Sequence, residues 1–177
     1  LNFGSSGKDQ LVKVFNGNDL EGWSEFPGLE PQPAGDELAE VQGWQAKDGV
    51  LRTAAGKGGK GELRTDERFL NYDLNLEYRF PQGQGDSGVG IFAGNPGDGY
   101  LEVQLHPGNS GDLYRIGEIE IRGNDGERLG FRASKFKESN ERERAWNKMQ
   151  IRVIDGAVEV LVNGLLQNRV MGGPKEP

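Results

Sequence analysis

Tyr72-Asp73-Leu74-Asn75-Leu76-Glu77-Tyr78-Arg79-Phe80 alternates without a break. Tyr72, Leu74, Leu76, Tyr78 and Phe80 fall on one side of an extended chain, and Asp73, Asn75, Glu77 and Arg79 on the other. Such period-2 alternation predicts a half-buried strand with one wet face. Working outward, Val89–Phe92, Tyr100–His106 and Ile116–Arg122 read as further strands, the last with Ile119 and Ile121 opposed to Glu118, Glu120 and Arg122. Met149–Ile154 and Ala157–Asn163 are joined by Asp155-Gly156, and Trp44–Ala46 and Val50–Arg52 by Asp48-Gly49. Both dipeptides signal two-residue hairpins. Leu11–Phe15 is a short candidate strand closed by Asn16-Gly17. Helical signals are thin: Gly35–Glu40 suggests a turn, and Lys137–Ala145, charged all round, a short solvated helix or a loop.

Composition points the same way. Glycine accounts for 29 of 177 residues, more than twice the usual share of about 7%. Each interior glycine costs a helix about 1 kcal/mol relative to alanine, so a bundle is disfavoured and the glycines are expected in turns. Many short strands with one polar face predict an all-β chain, an antiparallel β-sandwich of jelly-roll type. The length suits one domain. Residues 1–10 are expected as an N-terminal extension, 11–170 as a single sandwich domain and 171–177 as a tail. The low-complexity stretch 54–61 reads as a surface loop. The chain lacks cysteine, which removes disulfides, thiol nucleophiles and Cys-based metal sites. Its 21 Lys and Arg against 28 Asp and Glu give a net charge of −7, the wrong sign for nucleic acid or an anionic membrane. No run of about 18 apolar residues offers a transmembrane segment.

The glycines also create false signatures. Residues 56–61 and 83–88 both match G-x-G-x-x-G, but Glu62-Leu63-Arg64-Thr65 and Val89-Gly90-Ile91-Phe92 follow them, not the helix that dinucleotide binding needs. Gly85-Asp86-Ser87-Gly88 resembles the nucleophile loop of trypsin-like proteases. The sole histidine, His106, lies after the serine and not far before it, so the base of that mechanism is missing. One histidine also excludes multi-His zinc sites.

The stretch richest in chemistry is Gly99-Tyr100-Leu101-Glu102-Val103-Gln104-Leu105-His106. Alternation sends Leu101, Val103 and Leu105 to the core and places Tyr100, Glu102, Gln104 and His106 in one row, about 6.6 Å apart. A phenol, a carboxylate, an amide and an imidazole suit a sugar-sized ligand; the plainer reading is a solvated sheet face. Asp86 and Ser87 before one neighbouring strand, Tyr114 and Arg115 after the Gly111-Asp112 turn, and Trp146 are candidates to join the row. Of the three tryptophans, Trp23 and Trp44 suit a core, and Trp146 suits a cleft. Asp86, Asp98 and Asp112 sit in glycine loops and leave calcium open, although no ligand spacing identifies a site. Turn chemistry explains them equally well, and no cofactor is expected.

Phe15-Asn16-Gly17-Asn18-Asp19-Leu20-Glu21-Gly22-Trp23 resembles the opening "FNGKDLxGW" of the 3-keto-disaccharide hydrolase family. Further matches follow in order: Trp44 with Asp48-Gly49-Val50-Leu51, Gly61–Thr65, Leu76-Glu77-Tyr78-Arg79, Asp86-Ser87-Gly88-Val89 with Asp for the usual Asn, Gly99–Gln104, and Trp146-Asn147 with Val162-Asn163-Gly164. The resemblance implies a concanavalin A-like lectin/glucanase sandwich with one concave, ligand-facing sheet. It implies cleavage of glycosides oxidised at C3, with a small oligosaccharide or modified disaccharide as partner. In that reading Glu102 is the base, His106 or Tyr100 the acid, and Gln104 and Arg115 orient the sugar. The family's usual final strand has no counterpart before Met171–Pro177. Sugar-processing sandwiches with acidic surfaces are often exported, so an extracytoplasmic location is expected. The alternatives are a non-catalytic carbohydrate-binding module and a structural or interaction sandwich.

Overall fold

The computed structural model describes residues 2–3, 11–26, 40–41, 44–53, 62–94, 98–123 and 125–171, and every regular element among them is a strand. In chain order these are β1 (Asn2–Phe3), β2 (Val12–Lys13), β3 (Trp23–Phe26), β4 (Glu40–Val41), β5 (Trp44–Lys47), β6 (Val50–Thr53), β7 (Glu62–Thr65), β8 (Tyr72–Tyr78), β9 (Ser87–Ile91), β10 (Tyr100–Leu105), β11 (Leu113–Ile116), β12 (Arg132–Ala133), β13 (Asn147–Ile154), β14 (Ala157–Val162) and β15 (Leu165–Val170). They fall into two compact units, residues 12–69 and residues 1–11 with 70–177.

In the smaller unit β3 pairs antiparallel with β7, and β4, β5 and β6 form a three-stranded sheet. Asp48 (φ 54°) and Gly49 (φ 77°) make the expected β5–β6 hairpin turn. The Phe15–Trp23 motif is a folded turn. Asn16 Oδ1 accepts from the amides of Asn18 at 2.7 Å and Asp19 at 3.1 Å, Leu20 is buried, and Trp23 Nε1 donates to Val14 O at 3.1 Å. Its polar residues close backbone groups, as Asn and Asp do in turns.

The larger unit is a β-sandwich. One antiparallel sheet runs β15-β14-β13-β8 and is extended by β1; the other runs β12-β11-β10-β9. Alternation sorts the side chains as the sequence predicts. Tyr72, Leu74 and Tyr78 of β8, Met149, Ile151 and Val153 of β13, and Val158, Val160 and Val162 of β14 are buried, as are Ile91, Leu101, Val103 and Leu113 of the second sheet. Burial of each such side chain contributes about 1.5–3 kcal/mol. Polar bonds also join the sheets: Asn168 Nδ2 donates to Ala133 O at 2.9 Å, and Phe136 N to Gln167 O.

The outer face of the first sheet is a charged ladder. Gln150 Nε2 donates to both oxygens of Asp73 at 2.9 and 2.8 Å. Arg152 bridges Asp73 at 3.3 Å and Glu159 at 3.8 Å, and Arg169 also holds Glu159. Exposed cross-strand pairs of this kind satisfy one another and contribute little individually.

The hairpin turn at Asp155 (φ 48°) and Gly156 (φ 78°) is as expected, and Asn163 (φ 47°) with Gly164 (φ 79°) makes a second one that the sequence reading passed over. It launches β15, so the sheet continues past Asn163 with the pairing Val162↔Leu165 and a register shift between Val160 and Leu161. The strand expected over Ile116–Arg122 is instead β11, Leu113–Ile116. The chain turns at Gly117 (φ 71°), and Ile121 packs beyond the turn. Leu11–Phe15 contributes only β2, and the residues 137–145 form turns rather than a helix. The turn expected at Gly35–Glu40 lies outside the described residues except for Glu40, and the loop 54–61 lies wholly outside them.

Candidate functional site

The two outer faces of the sandwich differ in kind. The face of the β9–β12 sheet is organised around one lateral row. Its register pairs Gly90 with Glu102, Glu102 with Tyr114, and Tyr114 with Arg132, a single row across all four strands. Gly88 stands opposite Gln104. Strand parity therefore gathers Tyr100, Glu102, Gln104 and Tyr114 on one face, all half-buried. Asp86 joins them: its Oδ1 accepts from Gln104 Nε2 at 3.3 Å. Gln104 Oε1 is buried with no hydrogen-bond partner, an acceptor that a ligand hydroxyl would satisfy.

Two glycines shape this face. A methyl group at Gly88 would stand 2.3 Å from Oε1 and 2.5 Å from Cγ of Glu102, and one at Gly90 would stand 3.3 Å from the Tyr100 ring. The Glu102 and Tyr100 side chains thus lie over bare β9 backbone. What comes close to these glycines is the neighbouring strand's own side chains. Gly88→Ala is expected to push Glu102 aside and cut any activity that depends on its carboxylate by about 10–100-fold, since small misplacements of a reacting group are costly. The measurement is kcat of a variant whose thermal midpoint matches wild type. Wild-type kcat in Gly88→Ala would mean that the placement of Glu102 is immaterial.

The remaining candidates lie elsewhere. Arg115 pairs with Leu101 and Ser87 with Leu105, so both belong to the opposite face from Glu102; Arg115 donates from Nη1 to Gly117 O at 2.8 Å. His106 is past the end of β10, where its Nδ1 lies 3.0 Å from Pro107 O and its amide donates to Ser110 Oγ. Trp146 precedes β13 in the other sheet, and the Arg79 guanidinium covers its ring at 4.7 Å. Asp112 is fully buried. It holds Arg132 through Nε at 3.0 Å and through Nη2, and accepts from Lys135 N at 2.8 Å, a structural ion pair. Among the described residues no group of three or more His, Asp or Glu is placed to hold a metal ion, and no helix is long and apolar enough to cross a membrane.

Arg132 is the row member that sequence reasoning missed. Its Cζ lies 5.5 Å from the Tyr114 ring centroid. A two-residue strand has no period to read, so only the pairing reveals it.

The connection beyond Gln104 is pinned by one carboxylate. Glu141 Oε1 accepts from Ser110 Oγ at 2.6 Å and Tyr78 Oη at 2.9 Å, and Oε2 from Ser139 Oγ and Gly108 N, both at 2.8 Å. Burial pushes this carboxyl up, but the four hydrogen bonds together outweigh it and hold the group below the usual carboxylate value. Asn147 acts similarly. Its Oδ1 accepts from Arg142 N and Asn163 Nδ2, and its Nδ2 donates to Arg142 O and Ala145 O.

The chain is an antiparallel sandwich with one polar, glycine-floored sheet face, and comparison with known families gives its class. The family model of the 3-keto-alpha-glucoside-1,2-lyase-like domain matches residues 10–176. The chain belongs to that family. Among solved structures, it is similar to a protein of Parabacteroides distasonis ATCC 8503 described as a candidate glycosyl hydrolase, with a TM-score of 0.60 and 20% identity over 92% of this chain and 72% of that one. That likeness supports the sandwich fold. A search of curated proteins returned no match.

Proposed function

We propose that this chain cleaves glycosides whose sugar carries a ketone at C3, at the outer face of the β9–β12 sheet. The observation that carries the reading is the position of Glu102, a carboxylate set over the Gly88 backbone and in one row with Tyr114 and Arg132. The family's description, a 3-keto-α-glucoside-1,2-lyase-like domain, supports it.

The ketone acidifies the C2–H bond. Glu102 takes that proton, and the electron pair forms an enolate with the charge on the C3 oxygen. The enolate collapses, C1=C2 forms, and the C1–O bond breaks. The aglycone leaves as an alcohol, protonated by Tyr100, the phenol on the same face as Glu102. Water then adds across C1=C2 to give the free 3-keto sugar. Hydrogen bonds from Gln104 and Tyr114 orient the sugar and stabilise the enolate oxygen, and proton transfer by a positioned group contributes about 10²–10⁴-fold.

The test compares a 3-keto disaccharide, its C2-deuterated form and the parent unoxidised disaccharide. Release of monosaccharide only from the oxidised substrates, slowed by deuterium at C2, is the expected result. Equal turnover of the parent would sink the elimination mechanism. The half-buried tyrosines of this face, Tyr100 and Tyr114, favour one other reading, a non-catalytic carbohydrate-binding module; measurable sugar binding without turnover of any 3-keto substrate selects it.

A further inference from the structure

Phe131 is 66% exposed, yet it is not a stray surface aromatic. Its carbonyl accepts the Arg115 amide at 2.9 Å, which fixes it beside β11. Its ring stands edge-on to Tyr114, with centroids 5.5 Å apart and planes at 74°. Tyr114 is the direct cross-strand partner of Glu102. Adjacent strands lie about 4.8 Å apart, and the Glu102 carboxylate lies over β9, so the aromatic pair begins on β11, about two strand spacings from the carboxylate and roughly one sugar ring away, and extends toward the sheet edge. Trp146, by contrast, has its ring capped by Arg79. Among the described residues Phe131 has no such cap, and its one aromatic contact is Tyr114. The nearby cation, Arg132, is matched by Asp112. Arg132 stands over the Tyr114 ring, so the open, apolar part of the platform is Phe131.

From these observations we infer that Tyr114 and Phe131 form the subsite for the aglycone, with Phe131 the residue that determines which leaving group is accepted. The subsite takes an uncharged ring with a flat apolar face, either the C–H face of a second pyranose or an aromatic aglycone. This rests on the reading of Glu102 as the base acting on the sugar ring next to the platform.

The experiment measures kcat/KM of wild type, Phe131→Ala and Phe131→Trp on three 3-keto glucosides, bearing a methyl, a glucosyl and an aryl aglycone. In Phe131→Ala the ratio of the glucosyl or aryl substrate to the methyl one is expected to fall about tenfold, with Phe131→Trp restoring it. A fall in the glucosyl ratio alone assigns the subsite to sugars, and a fall in the aryl ratio alone assigns it to aromatic aglycones. An equal effect on all three, or none, overturns the proposal. A parallel titration uses an aryl glucoside without the ketone, which the elimination cannot consume. Weaker binding by Phe131→Ala together with no turnover of any 3-keto substrate refutes the catalytic reading and leaves the platform standing. Binding indifferent to residue 131 refutes the platform. Phe131 is exposed, so its variants are expected to fold as wild type does, and equal thermal midpoints check it.

Discussion

Glu102→Gln is expected to lower kcat on a 3-keto disaccharide by about 10²–10⁴-fold, the range that a positioned base contributes. The amide has the shape of the carboxylate and fits over the same Gly88 backbone, so substrate affinity and the thermal midpoint are expected to stay near wild type. What is lost is the ability to accept the C2 proton. Asp at this position retains a base but shortens the side chain by one methylene, and should give an intermediate rate. The readout is steady-state release of monosaccharide at saturating substrate, with KM followed separately. Full turnover in Glu102→Gln would remove Glu102 from the role of base.

The largest loss of stability is expected from Glu141→Ala, about 2–4 kcal/mol at neutral pH. The substitution removes the shared acceptor of Ser110, Ser139, Tyr78 and Gly108, of which Ser110 has a second acceptor within reach, the His106 carbonyl at 3.1 Å. The sign of its pH dependence follows from the direction of the shift. The folded state holds this carboxyl below its usual value, so the folded state binds protons less readily than the unfolded chain. The stabilisation is fully present above the unfolded carboxylate value of about 4.3 and is lost as the pH falls through the lower folded value. Urea unfolding at neutral pH and near pH 3 should show the gap between wild type and variant narrowing in acid. An unchanged gap would mean that packing, not the charged acceptor, holds this corner.

Most of the larger unit's framework is legible as period-2 alternation. The stretch Tyr72–Tyr78 and the Asp155-Gly156 hairpin carry their own signals because each depends on contacts a few residues apart. The row through Glu102 is legible only along β10. Its lateral members depend on register, and register places Arg132 there while turning Arg115 and Ser87 to the other side. A strand read one residue out of phase reverses every face. Residue type alone therefore favoured Arg115, next to Tyr114 in sequence but across the sheet from it in space. His106 was reached by extending an alternation that the Pro107 turn ends. Trp146 carried the right chemistry in the wrong sheet, a distinction that alternation within a strand does not encode. The motif residues Asn147 and Asn163 proved to be tied to each other. Their place in the family pattern reflects folding of the β13–β15 corner as much as any site.

The outer side of β15 has a consequence for how copies of this protein meet. A terminal strand of a sheet normally presents a row of unpaired amides and carbonyls on which another chain can build. Here Phe136 N engages the Gln167 carbonyl, and Arg122 and Met171 exchange both of their backbone bonds. The Val160/Leu161 irregularity disturbs the ladder next to it, and Asn168 turns its amide inward to Ala133. A segment arriving to add itself to this border finds several of its templates already taken and the ladder behind it out of step. The border thus resists self-templated growth of the sheet, a safeguard for a chain whose described regular structure is entirely strand.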